Sequence, residues 1–241
     1  MKFKLICCEV FLREACIAIA ESLNTIDPEF TPKGAHEQPN FLREIIQSKI
    51  DAAEGKGYDA VLLGFGLCGN SAAGLKARSV PLVIPRAHDC CTIFLGSKAK
   101  FVEHFKDNLS AEWSSTGYME RGDSYIRETD TGKLLGLDKS YEDLVEQYGE
   151  ENARYVWETL HPDFHGDEMI FIQIPETAHL GYVEKLKSLA AEKGKKVRII
   201  DGDMRLIRGL VNGGWSREEY LVVPPGKEIK PVYDQDKVME E

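Results

Sequence analysis

The stretch YDAVLLGFGLCGN, residues 58–70, decides the fold class of this chain. Its apolar run shows no alternation of polar and apolar residues, which is typical of a strand covered on both faces of a sheet. An amphipathic helical pattern precedes it over residues 41–57, and another apolar run follows over residues 80–85. This alternation of helix and strand predicts a parallel sheet with crossover helices. The cysteine directly after the strand, among three glycines, is an unusual position for a structural residue.

The same alternation extends along most of the chain. Further strands are predicted at 3–10, 169–175, 196–201 and 220–226, and further helices at 11–24, 92–108, 180–194 and 204–213. Residues 27–40 have the Pro, Gly and Asp content of a loop. We therefore predict a single domain, 1–241, with a three-layer, Rossmann-like α/β fold: a mainly parallel sheet with helices on both faces. The polar, turn-rich residues 108–162 are predicted to be an insertion or lid.

Composition excludes several classes of protein. The 241 residues carry a formal net charge of −10, and no cluster of Lys and Arg suggests a nucleic-acid partner. No apolar stretch reaches membrane-spanning length, and the short N-terminal apolar run lacks the cleavage site of a signal peptide. We expect a cytoplasmic protein with a small-molecule substrate. In a reducing compartment its six cysteines are expected to be thiols or metal ligands.

Three cysteines follow three neighbouring predicted strands. Cys8 ends the first strand, Cys68 follows the second and Cys90 follows the third. Parallel sheets bind ligands at the carboxyl ends of their strands, so these thiols are predicted to meet there. Three thiolates can bind zinc with an open fourth position, or an iron–sulfur cluster with one free iron. The alternative, a buried apolar cysteine, suits Cys16 on the predicted apolar face of its helix better than Cys68.

The glycines around Cys68 have two interpretations. Gly64, Gly66 and Gly69 match the spacing of a dinucleotide-binding loop, but the segment that follows is short for a crossover helix. Alternatively, the glycines let backbone N–H groups approach the Cys68 sulfur. Gly66 and Gly69 are thus predicted cofactor-binding residues, together with Arg86, which can bind a carboxylate or phosphate bidentately.

Candidate catalytic residues lie near the predicted metal site. His88, two residues before Cys90, can be a ligand, a second donor around the metal or a proton carrier. Glu9 is a candidate catalytic or ligand acid, and Glu120 a candidate substrate contact within the predicted lid. Tyr118 and Arg121 are further substrate contacts there, with a turn around a packed aromatic ring as the alternative. Glu14 is expected on a solvated helix face.

Several motifs together resemble a known family, the domain of unknown function 1638. They are LICCEV, DPEFTPKGAH, YDAVLLGFGLCGN, VPLVIPRAHDCC followed by FLGS, STGYMERG and VVPPG. The cysteines that match the family pattern are Cys8, Cys68 and Cys90, whereas Cys7 and Cys91 fall where the family often has an apolar residue. The pattern also includes His36, His88, Asp89 and the triplet Glu120, Arg121 and Gly122. This chain has Tyr118 where the family pattern has tryptophan.

The resemblance implies a metabolic setting, because genes of the family accompany corrinoid-dependent methyltransferase systems. We therefore predict a metal-dependent transferase of one-carbon, methyl-transfer or sulfur metabolism, with a corrinoid protein as a possible partner. One metal centre is expected, with zinc preferred over a [4Fe-4S] cluster. The alternatives are a metal carrier or accessory protein of a corrinoid system, an iron–sulfur enzyme with an open iron site, and a nucleotide-binding protein with structural cysteines.

Overall fold

A computed structural model describes residues 1–33, 39–106, 111–121, 141–160, 168–232 and 237–241. The strands are β1 (Lys2–Cys8), β2 (Thr25–Thr31), β3 (Ala60–Gly64), β4 (Leu82–Pro85), β5 (Glu112–Ser115), β6 (Glu168–Gln173), β7 (Lys196–Asp201), β8 (Tyr220–Val223), β9 (Lys230–Pro231) and β10 (Met239–Glu240). The α-helices are α1 (Leu12–Glu21), α2 (Pro39–Ala52), α3 (Cys90–Leu95), α4 (Lys98–Phe105), α5 (Thr116–Glu120), α6 (Tyr141–Tyr148), α7 (Glu150–Leu160), α8 (Tyr182–Glu192) and α9 (Arg205–Asn212). Short 3₁₀ helices span Glu9–Phe11 and Pro175–Leu180.

The central sheet confirms the predicted Rossmann-like α/β class. Its strand order is β2-β1-β3-β4-β8, with β2, β1, β3 and β4 parallel and β8 antiparallel to β4. All five residues of β3 are buried, as the unbroken apolar run predicted. The carboxyl ends of β1, β3 and β4 therefore lie side by side at one edge of this sheet.

A second sheet was not anticipated from the sequence. Strands β5, β6 and β7 form a separate three-stranded parallel sheet, so the predicted strands at 169–175 and 196–201 do not join the central one. Residues of β6 and β7 nevertheless share one apolar core with the central sheet. Strand β5, with the sequence EWSS, is too short and polar for its pattern to predict a strand.

Strand β2 corrects the loop predicted over residues 27–40. Residues Thr25–Thr31 form the edge strand of the central sheet and pair in parallel with β1. The sequence pattern did not predict this strand because it contains Pro28, and proline is depleted in strands. At a sheet edge a proline is tolerated, since the N–H it lacks is not needed by a neighbour on the outer side.

Helix α1 buries a different face from the one that its apolar residues predicted. Its buried residues are Glu14, Ala15 and Ala18, whereas Cys16 is exposed. Both the solvated position expected for Glu14 and the apolar position expected for Cys16 are therefore wrong. Helix α1 is in contact with α9. The buried face therefore follows from the tertiary contacts of the helix and not from its count of apolar side chains.

The predicted helix over residues 92–108 is two helices. Gly96 ends α3 in a left-handed conformation, with a φ of 79°, and Ser97 then caps α4 by accepting a hydrogen bond from the Lys100 N–H. A side chain at Gly96 would also meet the Cβ of Asp203 at 2.7 Å. Asp89 caps α3 by accepting a hydrogen bond from the Thr92 N–H, which places Cys90 at the first residue of this short helix.

The region predicted as an insertion contains regular structure at both of its described ends. Strand β5 and helix α5 occupy residues 112–120, and α6 and α7 follow at 141–160. Residues 107–110, 122–140 and 161–167 lie outside the described residues, so the extent of the insertion stays a prediction. In the part of the chain that the structure describes, no helix is both long and apolar enough to cross a membrane.

Candidate functional site

Three loops carry the predicted cysteines to one edge of the central sheet. Cys8 is the last residue of β1, Cys68 lies four residues beyond β3, and Cys90 begins α3 after β4. The loops after β3 and β4 continue the pairing of their strands, because the N–H of Leu67 donates to Ala87 O at 2.9 Å and the N–H of Cys68 donates to His88 O at 2.9 Å. The backbone thus holds the Cys68 loop against the Cys90 loop.

Cys68 lies in a strained turn. Cys68, Gly69 and Asn70 are three consecutive residues with left-handed φ values of 46°, 63° and 68°. This conformation costs a non-glycine L-residue roughly 1–2 kcal/mol, so two of the three positions carry strain. Ser71 holds the turn together, since its N–H and its hydroxyl both donate to Cys68 O, at 3.2 and 2.7 Å. Residues held in such conformations cluster at functional sites.

Gly66 has a role that differs from the one expected. A Cβ at this position would lie 2.8 Å from both Ala87 O and Asp89 N, so only glycine lets the two loops meet. Gly69 instead supplies the middle residue of the left-handed turn. Both predicted glycines therefore shape the backbone around Cys68.

The three thiols interact with one another. The side chain of Cys90, together with burial, raises the pKa of the Cys68 thiol well above its usual value. Burial raises the pKa of Cys8, and the neighbouring Cys90 raises it further. The N–H of Val10 also bonds to the Cys8 sulfur. Cys8 and Cys68 are therefore neutral thiols near pH 7 in the absence of a bound cation.

Tyr118 completes this cluster. Its hydroxyl oxygen lies 2.8 Å from Cys90 Sγ, and burial followed by the field of Cys90 raises the pKa of the phenol. Trp113 and Phe94 pack against the ring, at centroid distances of 4.8 and 6.2 Å. The ammonium group of Lys33 lies 5.1 Å from the ring centroid on the open side. The sequence suggested Tyr118 only as a substrate contact, and it did not single out Lys33.

A glycine brings Tyr118 to the cysteines. A Cβ at Gly117 would lie 1.7 Å from Val10 O, so helix α5 can approach the 3₁₀ helix after β1 only without a side chain there. Ser115 caps α5, with its hydroxyl 3.4 Å from the Tyr118 N–H that donates to it. One sequence signal could have identified this contact. It is a serine that caps the helix, followed by a small residue directly before an aromatic one.

The sulfur atoms of Cys8, Cys68 and Cys90 are donors that suit a soft metal, although these three atoms do not surround a common point. Over the described parts of the chain, no group of three His, Cys, Asp or Glu side chains is placed so that it could hold a metal ion. Cys90 raises the pKa of both Cys8 and Cys68, and Cys8 also raises that of Cys68. Sulfur ligands of this kind suit zinc and iron–sulfur clusters.

The two predicted catalytic acids are engaged in ion pairs near the cysteines. Glu9 accepts a hydrogen bond from the Lys33 N–H at 2.7 Å and lies 3.5 Å from Arg121 Nε. Glu120 accepts from Arg13 Nε at 2.7 Å and from the Tyr182 hydroxyl at 3.3 Å. The hydrogen bond from Arg13 lowers the pKa of Glu120, which is therefore ionised near pH 7. Both acids face the helices next to the cysteine cluster.

Among the described residues, the hydrogen bonds of His88 and Arg86 do not involve a cysteine side chain. The His88 side chain is exposed, and only its backbone oxygen takes part in the contact with the Cys68 loop. Arg86 donates through Nε to Arg217 O at 2.9 Å and through Nη1 to Lys237 O at 2.8 Å. Arg86 also lines a cavity of about 610 Å³ to which the three cysteines do not contribute. His36 lies outside the described residues.

Cys7 and Cys91 are structural. Both are buried, and Cys7 Sγ donates to Gly64 O at 3.6 Å. A Cβ at Gly64 would lie 2.3 Å from that sulfur, so the glycine and the cysteine fit one another across the two strands. Burial raises the pKa of the Cys91 thiol as well.

Comparison with known proteins places the chain in one family. Neither curated proteins nor solved structures give a match to it. A family model described as "Protein of unknown function (DUF1638)" matches residues 30–211, which include Cys68, Cys90 and Tyr118. The chain therefore belongs to this family, the one that its sequence motifs resemble.

Proposed function

We propose that this protein is a metalloprotein in which Cys8, Cys68 and Cys90 bind one soft metal ion and leave a coordination position open. The observation that carries the proposal is that Cys8, Cys68 and Cys90 follow three adjacent strands at one sheet edge, where Cys90 raises the pKa of both other thiols. The strained turn at Cys68 adds support, because residues held in such conformations cluster at functional sites.

Binding requires that the thiols lose their protons. The pKa values of Cys8 and Cys68 are raised by burial and by the neighbouring Cys90, so a cation must compete with protons for the sulfurs. A bound zinc ion would act as a Lewis acid that keeps a substrate thiol deprotonated at neutral pH. The Tyr118 hydroxyl, 2.8 Å from the Cys90 sulfur, would then donate a hydrogen bond to that thiolate and orient it.

The burial of two of the three sulfurs favours an enzyme over a metal carrier. Cys8 is 1% exposed and Cys90 is 6% exposed, whereas Cys68 is partly exposed. A carrier has to present its metal to a partner, whereas an enzyme shields it from bulk water. We therefore infer a metal-dependent transferase of methyl or sulfur chemistry with a small-molecule substrate, and we keep zinc ahead of a [4Fe-4S] cluster. The same proposal includes a corrinoid protein as a partner of this protein.

Metal analysis of protein purified without oxygen tests the proposal. We expect about one zinc per chain in a colourless protein, whereas a brown protein with iron and sulfide would replace zinc by a cluster. Cys68→Ser and Cys90→Ser are expected to lose the metal. Cys16→Ser is the matched control, because that thiol is exposed on α1. Full metal content in Cys68→Ser would show that the three-cysteine site is wrong.

A further inference from the structure

A second cavity lies next to the cysteine cluster, between helices α1, α5 and α8. It has a volume of about 490 Å³, which is within the size range of small-molecule sites. Its lining residues are Leu12, Arg13, Met119, Glu120, Arg121, Tyr182 and Lys185. Helix α5 separates the two sites: Tyr118 reaches the Cys90 sulfur, and the next three residues line the cavity.

The charge of this cavity is opposite to that of the chain. The protein has 30 Lys and Arg against 40 Asp and Glu, whereas the cavity has three cationic residues and one acid. That acid, Glu120, is already neutralised by Arg13, whose Nε and Nη2 lie 2.7 and 2.6 Å from Glu120 Oε1. With Glu9 counted, which lies 3.5 Å from Arg121 Nε, one positive charge remains in excess, and Arg121 and Lys185 are the cations that a ligand meets.

Both cations have capacity for a ligand. Arg121 contacts Glu9 only through Nε at 3.5 Å, and that Nε has no hydrogen-bond partner among the described residues. Lys185 lies 5.7 Å from the ring centroid of Tyr182, and no acid within the described ranges is paired with it. A guanidinium group matches the paired oxygens of a carboxylate or phosphate, and an ammonium group adds a point charge.

The other walls define the rest of the ligand. Leu12 and Met119 provide apolar surface, and the ring of Tyr182 adds more. A free ion would fill only a small part of about 490 Å³, so the cavity suits an organic molecule with an anionic end. We propose that this cavity binds the carboxylate or phosphate group of a small organic anion through Arg121 and Lys185. This inference stands on the cavity alone and does not require the metal.

Calorimetric titration of the full chain with sodium phosphate and with sodium acetate tests the proposal, with sodium chloride at equal ionic strength as the reference. We expect saturable binding of at least one of the two probes. Binding of phosphate alone would assign a phosphate ligand, and binding of acetate alone a carboxylate. Arg121→Gln and Lys185→Gln are each expected to weaken the binding about tenfold or more.

Lys187→Gln is the matched control on the same helix. Lys187 pairs with Glu184 at 2.7 Å and does not line the cavity, so its removal is expected to change the affinity less than about twofold. Absence of saturable binding by both probes would overturn the inference, as would an equal loss in Lys187→Gln and Lys185→Gln. The Cys68→Ser variant is expected to bind the anion normally, which separates this result from that of the metal proposal.

Discussion

The hydroxyl oxygen of Tyr118 lies 2.8 Å from the sulfur of Cys90, and this contact joins the two sheets of the protein. Tyr118 is on α5, which directly follows β5 of the small sheet. Cys90 begins α3, which follows β4 of the central sheet. The hydrogen bond therefore fixes the cysteine cluster relative to a helix that belongs to the other half of the fold.

Tyr118→Phe removes this hydrogen bond and keeps the ring. We expect a loss of about 1 kcal/mol in the free energy of unfolding, which is the usual net contribution of one hydrogen bond. In protein loaded with cobalt(II), we expect the sulfur-to-metal charge-transfer band to move to lower energy, because the thiolate loses a hydrogen-bond donor. Tyr182→Phe is the control, since its hydroxyl contacts Glu120 at 3.3 Å and not a sulfur. Unchanged spectra in Tyr118→Phe would contradict a role at the metal.

Gly66→Ala forces the two cysteine loops apart. The added Cβ would lie 2.8 Å from Ala87 O and Asp89 N, and both are backbone atoms that cannot rotate away. We expect a loss of roughly 1–3 kcal/mol in a urea unfolding experiment, as for other overpacked positions. Metal content should fall with it, because the Cys68 loop moves away from Cys90.

Gly214→Ala is the matched control for that substitution. A Cβ at Gly214 meets no atom within 4 Å, and this glycine is not among those with a positive φ. We expect little change in stability or metal content. Equal losses in the two variants would mean that the contact at Gly66 is not the cause.

Glu14→Gln is expected to stabilise the protein above neutral pH. Burial raises the pKa of Glu14 from 4.5 to about 7, and both carboxyl oxygens lack hydrogen-bond partners among the described residues. Between these two values the unfolded chain releases the Glu14 proton while the folded protein keeps it. Stability therefore falls as pH rises through this window, by about 3 kcal/mol in total, and the penalty stays constant at higher pH.

The variant should lack this dependence. Its free energy of unfolding is expected to exceed that of the wild type at pH 8, and the difference should vanish near pH 4. Urea unfolding across that range measures it. Glu184→Gln, at a side chain 74% exposed, is the control and should follow the wild-type curve. A destabilised Glu14→Gln at pH 8 would indicate that the buried carboxylate has a partner.

Arg86→Lys tests whether Arg86 has a structural role or binds a cofactor. Its guanidinium donates to three backbone oxygens of the C-terminal part of the chain, those of Arg217, Lys237 and Met239. A lysine cannot supply donors in these directions, so we expect a loss of roughly 1–3 kcal/mol in urea unfolding. Metal content should stay at the wild-type value. Arg78→Lys, at an exposed ion pair with Asp51, should cost less than about 1 kcal/mol.

The strand predictions succeeded where burial on both faces made the signal unambiguous. Strands β1, β3 and β4 consist largely of buried apolar residues, and their continuous runs were sufficient. Strand β2 was missed because an edge position tolerates Pro28. Strand β5 was missed because its serines are buried in a polar, four-residue segment whose pairing comes from a strand more than fifty residues later. Local pattern contains no information about such a partner.

Helix faces and contacts with the cysteines were less predictable. The burial of Glu14, beside Ala15 and Ala18, depends on the contacts of α1 with other elements, among them α9. The exposure of the His88 side chain follows from the backbone pairing that turns its carbonyl toward Cys68. Both outcomes depend on how distant segments meet, and neither residue type indicates them.

The sequence by itself determined the α/β class, the family and the delivery of three cysteines to one sheet edge. The class follows from the alternation of strands and helices, the family from its motifs, and the cysteine placement from the rule that parallel strands end on the same side. Only the tertiary structure decided that Tyr118 closes the cluster, that Gly66 and Gly117 let backbones meet, and that a cationic cavity lies behind α5. The physical reason is the distance along the sequence between the residues that interact. A strand is specified by neighbours in sequence, whereas a site is specified by side chains from segments brought together by packing.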